Sequence, residues 1–157
     1  MSSNLSRIDN LTRREIEARI AGPLIRAFVD EFGRGKTFAV VNQVIEKLAK
    51  ESGALAAETA GGNSLADYVK VTNAWFGVGE AIEQEILQQT ETKLDYQITR
   101  CRYAEMYREL GMADLGFILS CARDFGLVKG FNPKMKLTRP TTIMEGSDRC
   151  IFYFTLE

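Results

Sequence analysis

Apolar positions recur every four residues at Ile16, Ile20, Leu24 and Phe28, one stripe at helical spacing. Thr12-Arg13-Arg14-Glu15 just before it has the form of a capping box, so a helix is predicted to open there. Pro23 interrupts the stripe and predicts a kink or break near Gly22. Gly33-Arg34-Gly35 predicts a turn. Phe38, Val41, Ile45 and Leu48 form a second helical seam with polar residues opposite, able to run on to Ala60. Gly61-Gly62-Asn63 tolerates left-handed dihedrals and stops it. Ser64-Leu65-Ala66-Asp67 opens a third helix, with Leu65, Tyr68, Val69, Thr72 and Trp75 inward.

The period then changes. Ile82 to Gln89 reads as a strand, although its glutamates and glutamines also suit a helix. Leu94, Tyr96 and Ile98 alternate with Asp95, Gln97 and Thr99, the pattern of a half-buried strand. Helices are predicted from Arg102 to Gly111 and from Asp114 to Val128, and Gly130 to Pro133 reads as a loop. Met135, Leu137 and Arg139 share one strand face before Pro140. In the last strand Cys150, Phe152, Phe154 and Leu156 alternate with Ile151, Tyr153 and Thr155. A strand apolar on both faces is expected to be covered on both. One cover is the helical core; the other is either a ligand cavity or a subunit interface. The expected fold is α+β, a helical N-terminal half packed on a small antiparallel sheet formed by the C-terminal half. The expected organisation is one domain over 1–157, with 1–11 as a flexible tail.

Composition narrows the function. Net charge is −1, from 20 basic and 21 acidic residues interleaved along the chain. No basic block is present to release counterions from nucleic acid or to anchor on a membrane surface. No apolar run approaches the length of a membrane helix, and the N-terminal segment lacks the apolar centre of a secretion signal. A cytoplasmic location is expected, and three cysteines, an odd number, fit unpaired thiols. Histidine is absent. Acid–base chemistry therefore falls to Asp, Glu, Cys, Tyr or Lys. There is no P-loop, no dinucleotide fingerprint, no GxSxG and no HExxH, so neither a nucleotide cofactor nor a metal is expected.

Two thiol–carboxylate pairs sit at helical spacing. Cys121 and Asp124 are three apart, and Cys101 and Glu105 are four apart. Each pairs a nucleophile with a base, or else a packed thiol with a solvated carboxylate. Arg139, in phase with Met135 and Leu137, is either a clamp for a substrate carboxylate or one half of an internal salt bridge. Thr141 and Thr142 come next with two hydroxyls.

Three segments taken together carry a resemblance. They are Thr99-Arg100-Cys101-Arg102-Tyr103-Ala104-Glu105, Leu119-Ser120-Cys121-Ala122-Arg123-Asp124-Phe125, and Arg139-Pro140-Thr141-Thr142-Ile143-Met144-Glu145-Gly146 with Asp148-Arg149-Cys150-Ile151-Phe152. In order and spacing they resemble the L-2-amino-thiazoline-4-carboxylic acid hydrolase family, from about Thr12 to the C-terminus. The resemblance implies a hydrolase that opens a small cyclic amidine-like ring and yields a carbamoyl-cysteine. It implies Cys121, Asp124 and Glu105 as catalytic residues, and Cys101, Arg139, Thr142 and Cys150 as substrate-binding residues. Either a carboxylate activates water, or Cys121 attacks as a thiolate. The family's ending reads more like Cys-Asp-Phe-Arg, where this chain has Ile151 and Tyr153 in place of the acidic and basic residues. The alternative to an enzyme is a small-molecule-binding or redox-sensing domain of the same fold. A homo-oligomer formed through Ile151 and Tyr153 is the third reading.

Overall fold

The computed structural model describes residues 7–157; of the expected tail, 1–6 lie outside the described residues. The first helix, α1, spans Asn10–Phe32, and so includes the last two tail positions. Its cap is Asp9 rather than Thr12. The Asp9 carboxylate accepts from the Thr12 amide at 2.9 Å and from its hydroxyl at 2.6 Å, which satisfies one of the free amides of the first turn. The helix does not break at Pro23. Ala18, Gly22 and Ile25 hold the same face of α1 buried on both sides of the proline.

The predicted stripe is not the inward face. Ile16, Ile20, Leu24 and Phe28 are all exposed, Ile20 by 65%. Small residues occupy the buried side because α1 approaches closely: a Cβ on Gly22 would meet Met112 Sδ at 2.6 Å. Gly33 alone, at φ 84°, links α1 to α2 (Arg34–Ala60). A single left-handed residue suffices for that turn, and glycine adopts it without steric cost.

Helix α2 is packed most tightly against α6 (Arg123–Phe131). Three glycines allow it. A Cβ on Gly130 would fall 2.0 Å from the Lys50 carbonyl, one on Gly126 2.8 Å from the Glu46 carbonyl, and one on Gly53 2.1 Å from the Leu127 carbonyl. The expected Gly130–Pro133 loop accordingly starts later, since Gly130 is helical. Helix α3 (Leu65–Phe76) carries the expected capping box at Ser64 and Asp67 and buries Leu65, Tyr68 and Thr72, while Trp75 remains partly exposed.

Four strands complete the fold: β1 (Ile82–Gln89), β2 (Lys93–Cys101), β3 (Met135–Thr141) and β4 (Cys150–Leu156). They form one antiparallel sheet in the order β1-β2-β4-β3. The fold is therefore the expected α+β arrangement. Leu94, Tyr96 and Ile98 of β2 pair with Phe154, Phe152 and Cys150 of β4 and face the helices. Tyr96 stacks on Phe152 with ring centroids 4.6 Å apart. Within the single chain the outer face of the sheet is open. Tyr153 is 41% exposed, and Gln97 there bonds Glu85 at 2.6 Å and Arg149 at 3.0 Å. Within the single chain one flank of β4 is packed, against the helices.

Between the sheet and α6 the chain passes through α4 (Arg102–Glu109), α5 (Ala113–Gly116) and a π-helical turn over Phe117–Cys121. The Ala122 amide bonds the Phe117 carbonyl at 2.8 Å, five residues back. One extra residue in the turn rotates the start of α6 relative to α5, a device found often at functional sites. Among the described residues no helix is long and apolar enough to cross a membrane.

Candidate functional site

A cavity of about 490 Å³ opens between the helical layer and the inner face of the sheet. Its size suits a small organic ligand. All three cysteines reach it from separate elements: Cys101 from the end of β2, Cys121 from the π-helical turn and Cys150 from the start of β4. Asp124, Arg139 and Phe152 line the same space.

The buried centre is a charge pair. Arg139 Nη1 donates to the Asp124 carboxylate and, at 3.0 Å, to the Cys121 carbonyl. The Arg139 side chain is 2% exposed and that of Asp124 19%. Of the two sequence readings for Arg139, the geometry corresponds to the internal pair. Its Nε and Nη2 are closed off from solvent and meet no acceptor. The guanidinium instead stands over the rings of Phe125, Phe117 and Phe152, at 5.0, 5.4 and 5.5 Å from their centroids. Aromatic faces stabilise a desolvated cation and hold Arg139 in position.

Burial governs the titration of the site. It lifts Asp124 from 3.8 to about 6, with Arg139 and Arg14 opposing. It pushes the Cys121 thiol well above its ordinary value, and the Asp124 charge adds to the rise. Cys150 is raised to about 11 by burial, against the Ile143 amide that donates to its sulfur at 3.2 Å. Cys101 is raised as well, again by burial first. At neutral pH the three cysteines are thiols, and a thiol is a weak nucleophile. The hydroxyl groups of Tyr68 and Tyr96, both buried, lie within electrostatic reach of the Asp124–Arg139 pair. Among the described residues, no group of three Cys, Asp or Glu side chains is arranged to hold a metal ion.

Two sequence candidates lie elsewhere. Glu105 binds Arg100 at 2.9 and 3.3 Å on the outside of the molecule, and that partner holds its carboxyl below the usual range. The helix α4 does begin at Arg102, but its Cys101–Glu105 pair does not converge on the cavity. Thr142 is buried away from the cavity, where its hydroxyl accepts from the Glu145 amide at 3.2 Å and donates to the Glu145 carboxylate at 2.8 Å. It caps a short 3-10 turn that Gly146 closes at φ 101°.

The cavity also contains residues that spacing did not reveal. Arg13, Arg14 and Asn10 of α1 line it, as do Trp75 and Phe76 of α3 and Tyr103 of α4. Asn10 Nδ2 donates to the Tyr103 hydroxyl at 3.1 Å. The missing signal is the phase of α1, because Arg14, Ala18 and Gly22 fall on one face four residues apart. Ile151 and Tyr153, where the chain departs from the family's ending, are outside the cavity lining.

By sequence, no curated protein matches the chain. By fold it is similar to the phenol-responsive sensory domain of the transcription activator PoxR, solved with phenol. That likeness has 10% identity and a TM-score of 0.56, over 87% of this chain and 72% of the other. It is also similar to trafficking protein particle complex subunit 3 from Naegleria fowleri, solved covalently bound to palmitic acid. There the identity is 12% and the TM-score 0.55, over 93% of this chain and 96% of the other. Identities this low speak to the fold alone. A family model described as L-2-amino-thiazoline-4-carboxylic acid hydrolase matches residues 13–154. With the three cysteines, Asp124 and Arg139 of that span gathered on one cavity, the chain belongs to the L-2-amino-thiazoline-4-carboxylic acid hydrolase family.

Proposed function

We propose that this cavity hydrolyses a small cyclic amidine, 2-amino-thiazoline-4-carboxylate or a related heterocycle, with Asp124 as the general base. One observation carries the reading: a carboxylate raised to about 6 faces a ligand-sized cavity while Arg139 holds it in place. A base of that pKa is ionised at neutral pH yet still takes a proton readily.

In the reaction Asp124 removes a proton from water as its oxygen bonds to the amidine carbon and the C=N electron pair moves onto the ring nitrogen. The new hydroxyl passes its proton to that nitrogen as C=O forms and the ring C–S bond breaks, and the departing sulfur takes the other proton back from Asp124. The sum is substrate plus one water, giving a carbamoyl-cysteine. The thiols of Cys101, Cys121 and Cys150 remain protonated and shape the walls. Protonated thiols favour water attack over attack by Cys121.

A second reading has a specific observation behind it. The fold is shared with a sensory domain that was solved with phenol, and the present cavity also has aromatic walls, from Tyr96, Tyr103 and Phe152 among others. On that reading the chain binds a small ring and leaves it intact. Mass spectrometry separates the two. Incubated with L-2-amino-thiazoline-4-carboxylate in ¹⁸O-labelled water, the hydrolase gives a product heavier by one labelled water. Binding without any product rejects the hydrolase and favours the sensor.

A further inference from the structure

Four arginines line the cavity, Arg13, Arg14, Arg123 and Arg139, against two carboxylates, Asp9 and Asp124. Arg139 is matched by Asp124, and its remaining nitrogens are sealed from solvent. A ligand carboxylate finds no accessible donor there. Arg14 from α1 and Arg123 from α6 also line the cavity, with side chains 14% and 16% exposed. They share one carboxylate, Glu17. Arg14 Nη1 contacts it, and Arg123 Nη2 reaches it at 3.2 Å. Glu17 is 40% exposed and does not line the cavity. With Glu17 counted as well, four arginines face three carboxylates, which leaves an excess of positive charge at the cavity.

The pair is also built rather than loose. Arg123 Nε donates to the Leu119 carbonyl at 2.8 Å, which fixes the guanidinium plane without neutralising it. Burial pulls the Arg123 pKa down and the neighbouring Arg14 pulls it further, as crowding of partly desolvated cations requires. Arg123 precedes Asp124 directly on α6 and both line the cavity, so this wall adjoins the base.

We propose that Arg14 and Arg123 form the seat for the anionic group of a small monoanionic ligand, so that the cavity selects ring carboxylates over their neutral analogues. The inference rests on the reading of this cavity as the substrate site. It gives the carboxylate-holding role to Arg14 and Arg123 and leaves Arg139 to hold Asp124. A guanidinium pair offers planar, charge-assisted donors to a carboxylate, and an amide of the same shape gains much less from them.

The test is calorimetric titration of the full-length protein with thiazole-4-carboxylate and with thiazole-4-carboxamide, neither of which carries the amidine to be opened. The wild type is expected to bind the carboxylate at least about tenfold more tightly, the order of a strong charge-assisted contact. Arg14→Gln and Arg123→Gln should each reduce that preference, lowering affinity for the carboxylate more than for the amide. Arg123→Lys, which keeps the charge, should retain most of it. Equal affinity for the two probes in the wild type, or no binding of either, overturns the proposal. So does an undiminished preference in both glutamine variants, with folding checked by circular dichroism. Because the probes require no turnover, the preference can hold in a protein that fails to hydrolyse the thiazoline; that result would reject the hydrolase and keep the anion seat.

Discussion

Arg139 on β3 holds Asp124 on α6 through Nη1, across fifteen residues of sequence and within a cage of three phenylalanine rings. The pair sets the strength of the base. Burial alone raises the Asp124 pKa, and the guanidinium restrains it. Arg139→Met removes the restraint, so the Asp124 pKa should rise above about 6. Activity that needs the ionised form should then appear only at higher pH, and the acid limb of kcat/KM should move to the alkaline side. Breaking a buried pair also costs about 3–5 kcal/mol, so the variant should melt at a lower temperature.

The cysteines should be chemically quiet. All three are raised above their ordinary values by burial, and thiols in that state alkylate slowly. Cys121→Ser is expected to keep turnover within about tenfold, against the losses of about 100-fold or more expected on removing an acid–base group. Steady-state kinetics of the variant, with iodoacetamide labelling of the native protein at pH 7, checks both. Rapid labelling of Cys121 together with abolished turnover in the serine variant would restore the thiolate mechanism.

Glu105 should be dispensable for chemistry. It is bonded to Arg100 outside the cavity. Glu105→Gln is expected to leave kcat and KM unchanged and to alter stability by under about 1 kcal/mol, the worth of an exposed pair. A large fall in kcat would place this residue in the machinery after all.

Helix contact through glycine carries the wall on which Asp124 stands. Gly130→Ala would set a methyl group 2.0 Å from the Lys50 carbonyl, and the atoms it meets are backbone. The expected loss is about 1–3 kcal/mol or more, from forced separation of α2 and α6. Gly35→Ala on the same α2 meets nothing within 4 Å and should be neutral or stabilising by up to about 1 kcal/mol. Urea denaturation of the two variants compares them directly.

The strands are legible in the sequence because Leu94, Tyr96 and Ile98 alternate strictly with polar neighbours, and period two has one interpretation. Helix α1 defeats the same reasoning for a physical reason. Its buried face is made of Ala18, Gly22 and Ile25, mostly small residues suited to close approach, while larger apolar residues remain outside. Hydrophobic spacing tracks side-chain size, and here size and burial point opposite ways. At the site, Cys101, Cys121, Cys150, Asp124 and Arg139, singled out by motif order, line one cavity. Glu105 shares a helical face with Cys101 by count, yet Arg100 draws its side chain outward. Arg14 is marked only by its phase with Ala18 and Gly22, because on its own an inward arginine on a helix has the same spacing as a solvated one.

If Asp124 is the base, the pH dependence of kcat/KM for 2-amino-thiazoline-4-carboxylate must show it. A raised carboxylate pKa means that activity is full above about 6 and is lost as pH falls through that value, because protonation removes the base. The wild type should show one such limb, and Asp124→Asn a loss of about 100-fold or more with no limb near 6. A limb near pH 6 that survives in a folded, active Asp124→Asn protein would mean that another group is the base.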